Sequence, residues 1–121
     1  MVSWWTDNIN AGDYHCVLFT SADDYSFVRK NNLIPKTLAT IVDITDSPYL
    51  LQKNALLSKR YAKGNVLLQI AEVVKTRFWE RRIARESNAT IYISDRDRLA
   101  CNRPDNTRNI SVIPNLVLLE D

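Results

Sequence analysis

The chain has 121 residues and a formal net charge of +2, with hydrophobic residues at 45% and charged residues at 25%. That is the balance of one ordinary globular domain, too short for two nucleotide-binding folds and too weakly basic to imply nucleic acid as a partner. No apolar run approaches the ~20 residues of a membrane span, and Met1-Val2-Ser3-Trp4-Trp5 lacks the charged start and long apolar stretch of a secretory signal, which predicts a cytoplasmic chain.

Scarce residue types narrow the chemistry further. The only glycines are Gly12 and Gly64, so a glycine-rich phosphate loop cannot be assembled. The single histidine, His15, stands beside Cys16 and far from Cys101, which is no metal-ligand spacing. No Gly-x-Ser-x-Gly elbow accompanies that histidine. Neither a metal nor a cofactor is expected, and no residue is assigned a catalytic role. Cys16 lies in an apolar run, where a buried thiol is expected in preference to a disulfide.

In chain order, Cys16-Val17-Leu18-Phe19-Thr20 reads as the first strand. Ser21-Ala22-Asp23-Asp24 is a capping pattern that opens a helix through Tyr25, Phe27 and Val28, ending near Asn31-Asn32. The second strand runs from Leu38 to Ile44. Ser47-Pro48 starts another helix, with Ser at the cap and Pro in the first turn, reaching a stop around Gly64. The next helix carries Leu67, Ile70, Ala71, Val74 and Phe78 on one stripe, read as its core face, with Trp79 and Ile83 falling off it. Ala89 to Ile93 forms the third strand. Ser94-Asp95-Arg96-Asp97 repeats the capping pattern, and Ile110 to Ile113 is the fourth strand. The strands are nearly continuous apolar or β-branched runs, which suits burial on both faces. The order β-α-β-α-α-β-α-β predicts an α/β, Rossmann-like open parallel sheet of about four strands with helices on both faces. Ligands of such sheets bind beyond the carboxyl ends of the strands, where the polar residues of this chain gather.

Four pieces carry a family resemblance: Val42-Asp43-Ile44-Thr45-Asp46-Ser47, the helix with Glu80, Asn88-Ala89-Thr90-Ile91-Tyr92-Ile93-Ser94, and Val112-Ile113-Pro114-Asn115. In this order they resemble the later part of the N-terminal, acceptor-side domain of retaining glycosyltransferases with two Rossmann domains (the GT-B architecture, "group 1" family). The resemblance spans about Tyr14 to Asn115. It departs at Leu116, where the family usually has Gly, and at Thr45, where many members place a His facing the reacting centre. It implies a single partial domain over 1–121 with no donor-binding domain. The family's activity is sugar transfer from a nucleotide sugar to a glycan or lipid-linked acceptor, as in polysaccharide biosynthesis. A fragment of this kind is expected to be inactive alone, so nucleotide sugar and acceptor would be partners only of a complete enzyme. The alternative is a small non-catalytic α/β module that binds a ligand or partner.

The cleft-lining candidates are Thr20, Ser21, Asp43, Thr45, Asp46, Ser94 and Asn115. Several have a second reading: Asp46 offsets the positive end of the following helix, and Ser94 and Asp97 cap the next one. Arg77, Arg81, Arg82 and Arg85 with Lys75 make a basic helix face. It suits either intrahelical ion pairs or peripheral contact, through Arg77, Arg81 and Arg85, with the inner face of a membrane, as the resemblance implies. Open sheet edges and the pair Trp4 and Trp5 predict a homodimer.

Overall fold

The computed structural model describes residues 14–58, 65–102 and 109–114. Asn115, Trp4 and Trp5 lie outside the described residues. The elements are β1 (Cys16–Phe19), α1 (Ala22–Lys30), β2 (Ala39–Thr45), α2 (Pro48–Leu57), α3 (Val66–Glu86), β3 (Ala89–Tyr92), α4 (Asp95–Cys101) and β4 (Ile110–Val112). Their order is the expected one. The helix starts follow from local chemistry: Ser21, Ser47 and Ser94 are N-caps whose hydroxyls accept from the backbone N–H of Asp24, Leu50 and Asp97. Each satisfies an amide that the first helical turn leaves without a partner. Asn65 does the same for Leu67 at the start of α3. α2 ends earlier than expected, at Leu57 with Ser58 as its cap.

The strands form one four-stranded sheet in the order β1-β2-β3-β4, every pair parallel. This is the α/β parallel architecture expected from the alternation of elements. The helix placement differs from the expectation of both faces. Burial alternates along the strands: Thr40, Val42 and Ile44 of β2 are buried, while Ala39, Ile41, Asp43 and Thr45 are half-buried. β3 repeats the pattern, with Thr90 and Tyr92 buried between half-buried Ala89 and Ile91. The core joins Phe19, Val42, Ile44, Tyr92 and Ile110 of the strands to Tyr25 and Val28 of α1 and Ile83 and Ala84 of α3. The described helices therefore cover a single face. A sheet that steps always in one direction through right-handed crossovers lays every helix on the same side. Cys16 and Leu18 are exposed, so the thiol expected to be buried is not, and Cys101 is the buried one.

α3 is about 31 Å long at 1.5 Å per residue, spanning Val66–Glu86. Its buried residues are Glu80, Ile83 and Ala84. Every residue before Glu80 is exposed or half-buried, including the stripe read as core: Leu67 is 75% exposed, Ile70 44%, Val74 46% and Phe78 63%. The residues that fell off the stripe, Trp79 and Ile83, are the ones that face the core. The apolar period was real, but the sheet meets the other side of the helix. Ile83→Ala should destabilise the protein by about 2–5 kcal/mol by leaving a cavity. Leu67→Ala should change stability by no more than about 0.5 kcal/mol. Urea midpoints of the two variants, compared with the parent at constant slope, check this.

Candidate functional site

The carboxyl edge of the sheet is built on the segment that leaves β2. Val42 and Ile44 point into the helix-covered side, and Asp43 sits on the opposite, uncovered face. The β2–β3 register shifts between Asp43 and Thr45, and Thr45 has φ 60. A β-branched residue in the left-handed region is a steric outlier, worth about 1–3 kcal/mol of strain. It is held there from two sides. The Thr45 backbone N–H donates to Asp43 Oδ1 at 3.0 Å and its hydroxyl donates to the same oxygen at 3.2 Å. Its carbonyl accepts from Ile93 N–H at 3.2 Å.

Two residues on, the chain is clamped from below. Ser47 is fully buried and its hydroxyl donates to Glu80 Oε2 at 2.9 Å. Tyr49 N–H donates to the same oxygen at 3.0 Å, and the Tyr92 hydroxyl donates to Glu80 Oε1 at 3.1 Å. Asn102 donates to the Tyr92 hydroxyl at 3.2 Å. A second carboxylate grips the other side of Ser47: its backbone N–H donates to Asp97 Oδ1 at 3.0 Å. Asp97 also takes the Ser94 hydroxyl on Oδ2, while its own N–H donates back to Ser94 Oγ. Ser94 and Ser47 are thus linked through Asp97, and the exits of β2 and β3 form one hydrogen-bonded unit.

The electrostatics follow from burial. Glu80 is 0% exposed, and loss of hydration raises its carboxyl above the ordinary value of 4.5, against donors that lower it, Tyr49 N–H first, then Ser47, Tyr92 and the Cys101 thiol. Burial, then the Glu80 charge, pushes both the Tyr92 hydroxyl and the Cys101 thiol far up. Both stay protonated, Tyr92 as a donor to the carboxylate.

The expected site residues divide accordingly. Thr20 is exposed beside the β1 exit, and Ser21 is committed to its cap, accepting from Asp24 N–H at 3.3 Å. Asp43 and Thr45 come together, and Asp46 is exposed beside them with no side-chain hydrogen bond among the described residues. The cap of α2 is Ser47, so Asp46 is not spent on that cap. Ser94 is both cap and half of the Asp97 pair. Glu80, Tyr92 and Asp97 were not among the expected cleft-lining residues. The signal for Glu80 was present: a carboxylate three and four residues before Ile83 and Ala84 lies on their face of the helix. On the basic face, Arg77 lies over the Tyr49 ring at 5.5 Å and Arg82 pairs with Glu86 at 2.7 Å. In α4, Arg98 pairs with Asp95 at 2.8 Å.

Among the described residues no His, Cys, Asp or Glu cluster could hold a metal, and no helix is long and apolar enough to cross a membrane. No family model, curated protein or solved structure matches the chain.

Glu80→Ala leaves Ser47, Tyr49 and Tyr92 without their acceptor, at about 1–3 kcal/mol per buried donor. The pH dependence has a definite sign. Because the folded carboxyl titrates above its unfolded value, its contribution to stability is fully present below that unfolded value and is lost as pH rises through the folded one. The stability of the parent relative to Glu80→Gln should therefore be greater at pH 5 than at pH 8. Denaturant unfolding of both proteins at the two pH values measures it, and a constant difference contradicts the burial-driven shift.

Proposed function

We propose that this chain is a glycosyltransferase-like acceptor domain, in which the carboxyl edge of the sheet holds a carbohydrate hydroxyl by hydrogen bonds. The observation that carries the reading is Thr45, a strained residue at the β2 exit with exposed Asp46 next to it and Ser47 locked behind it. Strain of this kind persists only where surrounding contacts over-determine it, and it clusters at ligand sites. The parallel order of the strands supports the reading too, since ligands of open parallel sheets sit beyond the strand ends. Asp46 is the acceptor for sugar hydroxyls, with Thr20 at the neighbouring strand exit. The role is positioning: Thr45 occupies the place of the family's histidine, and a threonine hydroxyl does not exchange protons near neutral pH.

The rival is a non-catalytic partner-binding module, favoured by the uncovered apolar stripe of α3. Glycan-array binding by the full chain separates the two. Binding to a defined set of glycans, reduced about tenfold by Asp46→Ala, is the expected outcome for loss of a charged hydrogen-bond acceptor. An array with no bound glycan, or binding indifferent to Asp46, sinks the proposal. Thr45→Gly adds a second arm. Relief of the left-handed strain should keep stability equal or raise it by about 1 kcal/mol, while glycan binding weakens. Thermal unfolding and the array read those two effects separately.

A further inference from the structure

A groove lies away from the carboxyl edge. It opens between α1 and the carboxyl half of α3 and has a volume of about 720 Å³. Its apolar wall is Tyr25, Ile34, Ile83 and Trp79, the first three buried and Trp79 half-buried. The indole is fixed in place, because its N–H donates to Ser26 Oγ at 2.8 Å. Around this wall stand Arg29, Lys30, Lys36 and Arg82 against one carboxylate, Glu86.

These cations arrive from three parts of the chain. Arg29 and Lys30 close α1, where basic residues offset the negative end of the helix. That account does not extend to Lys36 or Arg82. Lys36 is brought back by the connection after α1. Asn32 takes φ 51, and Leu33 N–H returns to Val28 O at 3.0 Å, which buries Leu33 and Ile34 and leaves Lys36 at the groove. Asparagine tolerates the left-handed region better than most residues. Arg82 comes from α3 and uses its Nε on Glu86. Arg29 uses its Nε on the Tyr25 hydroxyl at 3.4 Å. The remaining guanidinium donors of both arginines, and the ammonium groups of Lys30 and Lys36, have no hydrogen-bond partner among the described residues.

We infer that this groove is a binding site for a phosphate-bearing ligand, with Lys36, Arg82 and Arg29 holding the phosphate and Trp79 and Ile83 contacting the attached apolar or ring portion. A surplus of three positive charges is more than a carboxylate would match. A phosphomonoester carries about −1.5 to −2 charges at neutral pH and several acceptor oxygens suited to guanidinium forks. The volume lies within the range of small-molecule sites, about 300–1,000 Å³. The site is independent of the carbohydrate edge proposed above.

The test uses the full chain, labelled with nitrogen-15, titrated with inorganic pyrophosphate at fixed ionic strength. Saturable movement of the Trp79 indole N–H and Lys36 amide resonances is expected. Lys36→Gln and Arg82→Gln should each weaken the apparent affinity about tenfold, as loss of a charged hydrogen bond does. Lys75→Gln removes an exposed charge from the same helix outside the groove, and should leave the affinity unchanged. A second arm measures flotation with phosphatidylcholine vesicles, with and without phosphatidic acid. Pyrophosphate binding without vesicle binding assigns a soluble phosphate ester. Vesicle binding that needs phosphatidic acid, Lys36 and Arg82 assigns a lipid headgroup. Failure of both probes, or equal weakening by Lys75→Gln, overturns the inference.

Discussion

Inside this protein a carboxylate is held without a cation beside it, and the geometry of the carboxyl edge depends on how it is held. Glu80 has no ion pair among the described residues and is completely buried. Removing such a charge from water costs several kcal/mol unless its oxygens are well supplied with donors. Here the donors are Ser47 Oγ, the Tyr49 N–H and the Tyr92 hydroxyl, from the start of α2 and from β3, with the Cys101 thiol of α4 beside them. A buried carboxylate satisfied by hydroxyl and amide donors is directional in a way an apolar contact is not, because each oxygen accepts along its own lone pairs. It ties α3 to two strand exits at once. Asp97 does the same from α4, and Ser47 donates to both carboxylates. The connection between β2 and α2 is fixed by polar contacts on its inner side before any ligand arrives.

The strain at Thr45 follows from that anchoring. Ser47 must sit on the helix-covered side, under Glu80, while Asp43 lies on the uncovered side. A regular strand alternates faces and cannot make that passage while also turning into α2. The register shift between Asp43 and Thr45, with φ 60 at Thr45, supplies the missing change of direction. Asp43 offsets part of the cost with two hydrogen bonds from one residue. The consequence is that Asp46, placed between the strained residue and the clamped one, has little freedom in its backbone and none of its side-chain capacity used among the described residues. That combination of a fixed position and free acceptors is what a positioning group requires.

The parts of this fold that were legible in the sequence are those decided by neighbours along the chain. Ser21, Ser47 and Ser94 cap their helices because a hydroxyl reaches an amide three residues on, whatever the tertiary structure does. The β-α alternation likewise announced a parallel sheet. What failed was the assignment of faces. Ile41 and Ile91 are as apolar as Val42 and Tyr92, so β2 and β3 looked suited to burial on both sides, although only one side meets the described helices. The same ambiguity misplaced α3. Its amino half shows the stronger apolar stripe, but its packing is decided near its carboxyl end, where Glu80 must meet Ser47. Polar network residues were read as local caps or surface charge because their partners, such as Ser47 for Asp97, lie about fifty residues away in sequence, beyond any local pattern.

α3 therefore divides into two parts with different physical duties. From Glu80 onward it carries the core through Ile83 and Ala84, the anchor of the carboxyl edge, and one wall of the basic groove. Before Trp79 it touches α2 through contacts at the surface, such as the Thr76 hydroxyl to Gln52 at 2.8 Å, and has no fully buried residue. Single amphipathic helices usually spend their apolar face on the core. Here the two are separated along the axis, and the core needs only the last turns. The amino half is thus under no packing constraint from the described core, so its regular spacing of Leu67, Ile70, Val74 and Phe78 is not accounted for by packing among the described residues. Large apolar side chains left in water gain nothing by recurring every three or four residues.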